Sequence, residues 1–262
     1  MSVKLNSEQI IALILSLILM NTLLPSIEKR DIAKLRVHMS GRFLVTEDGE
    51  PFFWLGDTAW QLFSKLDSID VLKYLWDRKN KQFTVIHAHV LDWDIRKPNA
   101  NGDRAFVDNN IDTPNENYWQ HADFIIHTAQ ELGLYMALLP AWGGSHVENK
   151  RNSPGSLELT ANQAYRYGLY IGDRYEDAPH IIWILGGDTR PTKHDVYDAL
   201  ARGLTESYGN GNPENILISY HPPGGTYRPP ATSTGEFSTK SRGLILDGAS
   251  KGYKPPGRIE NK

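Results

Sequence analysis

From Arg42 to Tyr220 short apolar runs alternate with longer stretches in which apolar residues recur at helical spacing. Gly41 to Val45 and Pro51 to Leu55 flank the turn-rich Glu47, Asp48, Gly49 and Glu50, which predicts a hairpin whose second arm runs on as a strand. Leu62, Phe63, Leu66, Ile69, Leu72, Leu75 and Trp76 give Ala59 to Asn80 a helical period. Phe83 to Leu91 then reads as a strand. A long polar loop, Asp92 to Asn115, leads to a helix from Glu116 to Leu132 that Gly133 ends. Strands at Leu134 to Leu139, His180 to Leu185 and Asn215 to Tyr220 are separated by helices at Asn162 to Tyr175 and Asp195 to Tyr208.

Five strands in strict alternation with four helical segments imply parallel strands with right-handed crossovers. Either an open doubly wound sheet or a (β/α)8 TIM barrel satisfies that pattern. No glycine-rich nucleotide loop follows the first strand, so nucleotide binding loses support. Polar and aromatic residues recur just past the strand ends: Asp57 and Thr58, Asp92 to Asp94, Trp142 to Gly144, Gly186 to Asp188, and His221. In a barrel these positions converge on one face, where barrel active sites lie, so the barrel explains them better.

The chain of 262 residues has a net charge of −3, which gives no basic field for nucleic acid or an anionic membrane. It contains no cysteine, excluding disulfides and thiolate chemistry. Seven Trp and twelve Tyr suit the stacking of sugar rings as well as a core. The apolar run Ile10 to Met20 matches the core of a signal peptide and is too short to span a bilayer. Residues 1–26 are therefore read as a signal peptide or N-terminal anchor, with a buried helix as the alternative, and the chain is expected to be exported. The stretch from Pro222 to Lys262, rich in Pro and Gly, reads as loop.

Asp188 is the leading candidate for chemistry. It follows a wholly apolar strand and two glycines that let the backbone approach the barrel mouth closely. A carboxyl group there suits a general acid, while the bland alternative makes it the N-cap of the next helix. Asp57 has the same ambiguity, with positioning of a substrate or of a helix favoured over proton transfer. His87 and His89 share one face of their strand. They suggest hydrogen bonding to a ligand, or a metal-dependent sugar isomerase, although spacing fixes no third ligand. His221 ends the fifth strand within reach of a sugar hydroxyl or the carboxyl. Trp93 and Trp142 are the expected stacking platforms, with core packing as the alternative. No cofactor or metal is expected, and a serine nucleophile lacks its elbow motif.

Six segments together resemble the apiosidase-like glycoside hydrolases: Gly49 to Trp60 (GEPFFWLGDTAW), Tyr74 to Val85 (YLWDRKNKQFTV), Pro140 to Gly143 (PAWG), Tyr165 to Tyr175 (YRYGLYIGDRY), His180 to Asp188 (HIIWILGGD) and Ser219 to Gly225 (SYHPPGG). The resemblance covers Arg42 to Phe237. It implies a (β/α)8 barrel in residues 38–240 and cleavage of glycosidic bonds in plant cell-wall saccharides, with pectic, apiose-type side chains as substrate. It makes Asp188 the acid/base at the end of barrel strand four. Asp57, Trp60, His87, His89, Trp93, Trp142 and His221 are read beside it as substrate-binding residues. The partner is an oligosaccharide or polysaccharide, with no nucleic acid and no membrane-spanning domain.

The family pattern continues with a Trp-Leu-Asp-Phe strand, a Gln-Ser-Gly-His motif and a unit bearing a second catalytic carboxylate, a Glu. Here the chain reads Ser241, Arg242, Gly243, Leu244, Ile245, Leu246, and Glu236 has no place in the pattern. The barrel is thus expected to be incomplete, with about five βα units, and hydrolysis by this chain to be impaired. A catalytically inert carbohydrate-binding protein is the competing reading. Codons for Lys-Pro-Trp-Leu-Asp-Phe read one base later yield Ser-Arg-Gly-Leu-Ile-Leu, so residues 241–262 are expected to be a frameshifted tail. Sequencing the DNA on both sides of codon 240 checks this: another frame should encode the remaining strands, and its absence ends the idea.

Overall fold

A computed structural model describes residues 32–149, 152, 154–223 and 244–245. The expected export segment, Glu236 and nearly all of the expected tail lie outside the described residues.

The chain first forms a small antiparallel pair, β1 (Leu35–Val37) with β2 (Leu44–Thr46). A parallel sheet follows: β3 (Gly56–Thr58), β4 (Val85–His89), β5 (Tyr135–Leu139), β6 (Ile181–Gly186), β7 (Leu217–His221) and the two-residue β8 (Leu244–Ile245), hydrogen-bonded in that order. Between them lie α1 (Leu62–Lys65), α2 (Ser68–Asn80), α3 (Glu116–Glu131), α4 (Gly143–His146), α5 (Ala161–Arg174) and α6 (His194–Glu206). Every sheet pairing is parallel. Sequential parallel strands joined by crossover helices are the arrangement of a (β/α)8 barrel, here an open arc whose ends do not meet among the described residues. Among those residues no helix is long and apolar enough to cross a membrane.

Two expectations need correction. A hairpin does close about the turn at Glu47 to Glu50, with the Thr46 N–H donating to the Glu50 carbonyl and the Phe52 N–H to the Leu44 carbonyl, both at 2.9 Å, but β2 also pairs with an unexpected β1 and the second arm does not run on as the strand of the sheet. The first strand of the sheet is therefore Gly56–Thr58, while residues 53–55 are tied to β4 by Thr84, whose hydroxyl donates to the Phe53 carbonyl at 2.8 Å. The long helix at Ala59 to Asn80 breaks in two, because Asp67 takes an extended conformation and accepts the Asp70 amide at 2.9 Å as the cap of α2. Elsewhere the local signals hold. Thr160 and Gln163 form a reciprocal capping box at the start of α5, as a threonine three residues before a glutamine should.

Strand alternation divides the sheet into two faces. Ile86, Ala88, Met136, Leu138, Ile181, Trp183, Leu185 and Ile218 pack beneath the helices in the larger core. Trp183 thus belongs to the helix side, edge-on to Tyr208. The inner face is graded along the strands. Its N-terminal end is apolar, with Val85, Tyr135, Ile182 and Leu217 packed against Ile32, Leu35 and Leu44. The Tyr135 hydroxyl donates to the Ala33 carbonyl at 2.5 Å, so the hairpin plugs that end. At the other end the inner face turns polar, with His87, His89, Ser219 and His221.

Helices α5 and α6 touch backbone to backbone at Gly168 and Gly203. A Cβ on Gly168 would lie 2.6 Å from the Leu200 carbonyl oxygen and 3.1 Å from Gly203 Cα. Gly168→Ala is expected to force the helices apart and lower stability by about 1–3 kcal/mol. A urea titration measures this loss, and an unchanged midpoint would remove the close contact from the account.

Candidate active site

The C-terminal strand ends bring together most of the residues singled out from sequence. Trp142, three residues after the end of β5, is nearly buried, at 9% exposure, and is the hub. Its ring centroid lies 5.2 Å from Trp60, 5.7 Å from His89, 6.2 Å from Trp93 and 6.0 Å from His221. His87 joins through Trp60 at 6.1 Å, with Trp54 on its other side at 5.5 Å. Most of these contacts are edge-to-face, the favourable arrangement for aromatic quadrupoles. Trp93 remains 39% exposed, so the floor keeps an aromatic surface open to a ligand.

Asp188 stands at the rim, with its side chain 60% exposed. Its main-chain N–H donates to His221 Nδ1 at 3.4 Å, and Oδ1 lies 3.5 Å from the same nitrogen. The turn that carries it is left-handed at three consecutive residues, Gly186 (φ 91°), Gly187 (φ 122°) and Asp188 (φ 48°). Only glycine takes the first two readily, and a short polar side chain tolerates the third. The capping alternative fails. Helix α6 starts at His194 after Lys193, which makes no side-chain cap, and Asp188 stands five residues before the cap position.

Asp57 does not join the cluster. It pairs in register with Ile86, so its side chain points to the outer face. There it accepts Tyr74 Oη at 2.9 Å and Arg78 Nη1 at 2.7 Å from α2. It is a clamp between strand and helix.

Burial pushes both strand histidines down to about 4, helped for His87 by the neighbouring His221 imidazole. His89 Nδ1 lies 2.5 Å from the Leu91 carbonyl, which can only accept, so Nδ1 holds the proton and Nε2 is left as an acceptor. That Nε2 is buried and finds no hydrogen-bond partner among the described residues. His146, which sequence reasoning missed, is also held neutral by burial, at about 4. It ties two loops together, donating from Nε2 to the Asp92 carbonyl at 2.8 Å and accepting the Leu157 amide at 3.3 Å. Among the described residues no group of three or more His, Asp or Glu is placed to hold a metal ion.

A family model described as apiosidase-like, catalytic domain, matches residues 38–244. The chain belongs to that family. This apiosidase-like domain also resembles solved structures. One, named glycoside hydrolase, is 34% identical over 72% of this chain and 41% of its own, with a TM-score of 0.63. A glycoside hydrolase family 5 protein from Bacteroides vulgatus ATCC 8482 is 32% identical over 74% of this chain and 40% of its own, with a TM-score of 0.64. A family 5 mannosidase from Rhizomucor miehei, 11% identical with a TM-score of 0.51 over 72% of this chain and 55% of its own, shares the fold alone. The apiosidase-like chain thus spans about two-fifths of the length of the first two structures. No curated protein matches significantly.

The neutral histidines make a pH prediction. His87, His89 and His146 have folded values near 4, against 6.5 in the unfolded chain. Between those values the unfolded state binds protons that the folded state does not, so stability is complete above about pH 6.5 and falls as pH drops toward 4. Urea midpoints should fall across that window, and His89→Gln should flatten the decline. A midpoint independent of pH would show that these rings are not held neutral.

Proposed function

We propose that this domain is a glycoside hydrolase of plant cell-wall saccharides, acting on pectic, apiose-type side chains with the Asp188 carboxyl as acid/base. The observation that carries the reading is the position of Asp188. It stands at the rim of an aromatic floor, off the helix start, beside His221. A sugar stacked on Trp93 and Trp142 would present its glycosidic oxygen to this rim, where a carboxylic acid protonates the leaving group. With His87 and His89 uncharged above about pH 5, the floor suits a neutral ring. The family pattern assigns the second carboxyl group of such a mechanism to a Glu, and glycosidases keep the two about 5–9.5 Å apart.

A second reading uses the same floor without turnover. The edge-to-face rings of Trp60, Trp93 and Trp142 need no carboxylate to hold a sugar, which suits an inert carbohydrate-binding protein. Incubation of the purified chain with pectic oligosaccharides, alongside calorimetric titration, separates the two. Turnover that Asp188→Asn lowers by roughly 100-fold or more, with affinity kept, supports the hydrolase. Binding without turnover supports the second reading, and turnover indifferent to Asp188→Asn removes the acid/base role.

A further inference from the structure

The connection from β6 to α6 carries Asp188 and is held along its length, beyond the contact of Asp188 with His221. At its start the Gly187 N–H donates to the His221 carbonyl at 3.0 Å. In its middle Tyr220 Oη donates to the Thr189 carbonyl at 2.8 Å. At its end the connection is gripped by Glu148, which arrives from the preceding loop, two residues beyond α4. Glu148 Oε1 accepts the Thr192 N–H at 2.7 Å and the Lys193 N–H at 3.3 Å, and Oε2 accepts the Thr192 hydroxyl. Lys193 occupies the cap position of α6 and offers no side-chain acceptor of its own. The Glu148 carboxylate therefore caps this helix from a neighbouring loop, at the positive end of its dipole.

We infer that Glu148 is a positioning residue for Asp188: by fixing the end of the β6 to α6 connection it sets where the Asp188 carboxyl stands relative to His221 and the aromatic floor. Two fixed points flank Asp188 closely, at Gly187 and Thr189, and they belong to β7. Glu148 supplies a further anchor and links the connection to the loop that also carries Trp142. The acid/base and the stacking platform are thereby held in one frame. This assignment rests on the acid/base reading of Asp188, and Glu148 itself touches no sugar in it.

The test compares Glu148→Ala, Glu148→Gln and Asp188→Asn in the full chain. Gln keeps an oxygen for the two amides, and its NH2 donates to the Thr192 hydroxyl, which accepts as well as donates. Glu148→Ala is expected to lower kcat on pectic oligosaccharides by roughly 100-fold with little change in KM, and Glu148→Gln to recover most of that loss. Two readouts need no turnover. Glu148→Ala should speed hydrogen exchange from Gly187 through Lys193, and should move the His221 ring signals in NMR as Asp188→Asn does. Unchanged His221 signals and unchanged exchange at Gly187 and Asp188 in Glu148→Ala overturn the inference, even where Asp188→Asn abolishes turnover. If Asp188→Asn leaves turnover intact, the acid/base reading fails alone, and exchange and NMR still decide whether Glu148 fixes the connection.

Discussion

Gly187 has no side chain, and the Trp142 indole fills the space one would need: a Cβ there would lie 2.8 Å from the ring. This contact between the end of β6 and the loop after β5 allows Trp142 to lie within reach of Trp60, His89, Trp93 and His221 at once. The left-handed backbone at Gly187 passes close to the indole just before Asp188 at the rim, so the pocket floor and the candidate acid adjoin at one glycine.

The charge state of the floor follows from burial. An imidazole enclosed by indole rings cannot keep a proton near neutrality, so His87 and His89 work as neutral donors and acceptors. A sugar, which brings hydroxyl groups and no charge, matches such a surface better than an anion would. The outer face uses charge differently: Asp57 and Arg78 pair at 2.7 Å between strand and helix, where the pair secures packing.

What was legible in the sequence follows period and position. Alternation placed His87 and His89 on one face, and the strand-end rule gathered Trp93, Trp142, Asp188 and His221. The same alternation, applied from the corrected strand Gly56–Thr58, turns Asp57 outward. Its register was hidden because the strand was expected five residues too early. Glu148, His146 and Trp54 had no such signal. Glu148 acts across two successive loops, and His146 joins loops more than fifty residues apart in sequence. Their roles exist only once the sheet sets those loops side by side. Asp67 did carry a local signal, as an acidic cap before Ser68, but the apolar period ran through it and concealed the break.

The hairpin plug divides labour along each strand. Val85, Tyr135, Ile182 and Leu217 seal the N-terminal end against Ile32, Leu35 and Leu44, so that end is a dry fixture whose packing tolerates little change. Beyond Trp142 and Trp60, which pack into the same cluster, the loops at the other end carry side chains outside it. Substitutions there can alter which ligand is held while the sealed end keeps the strands in register. Such an architecture lets stability and ligand choice evolve as nearly independent traits within one short sheet.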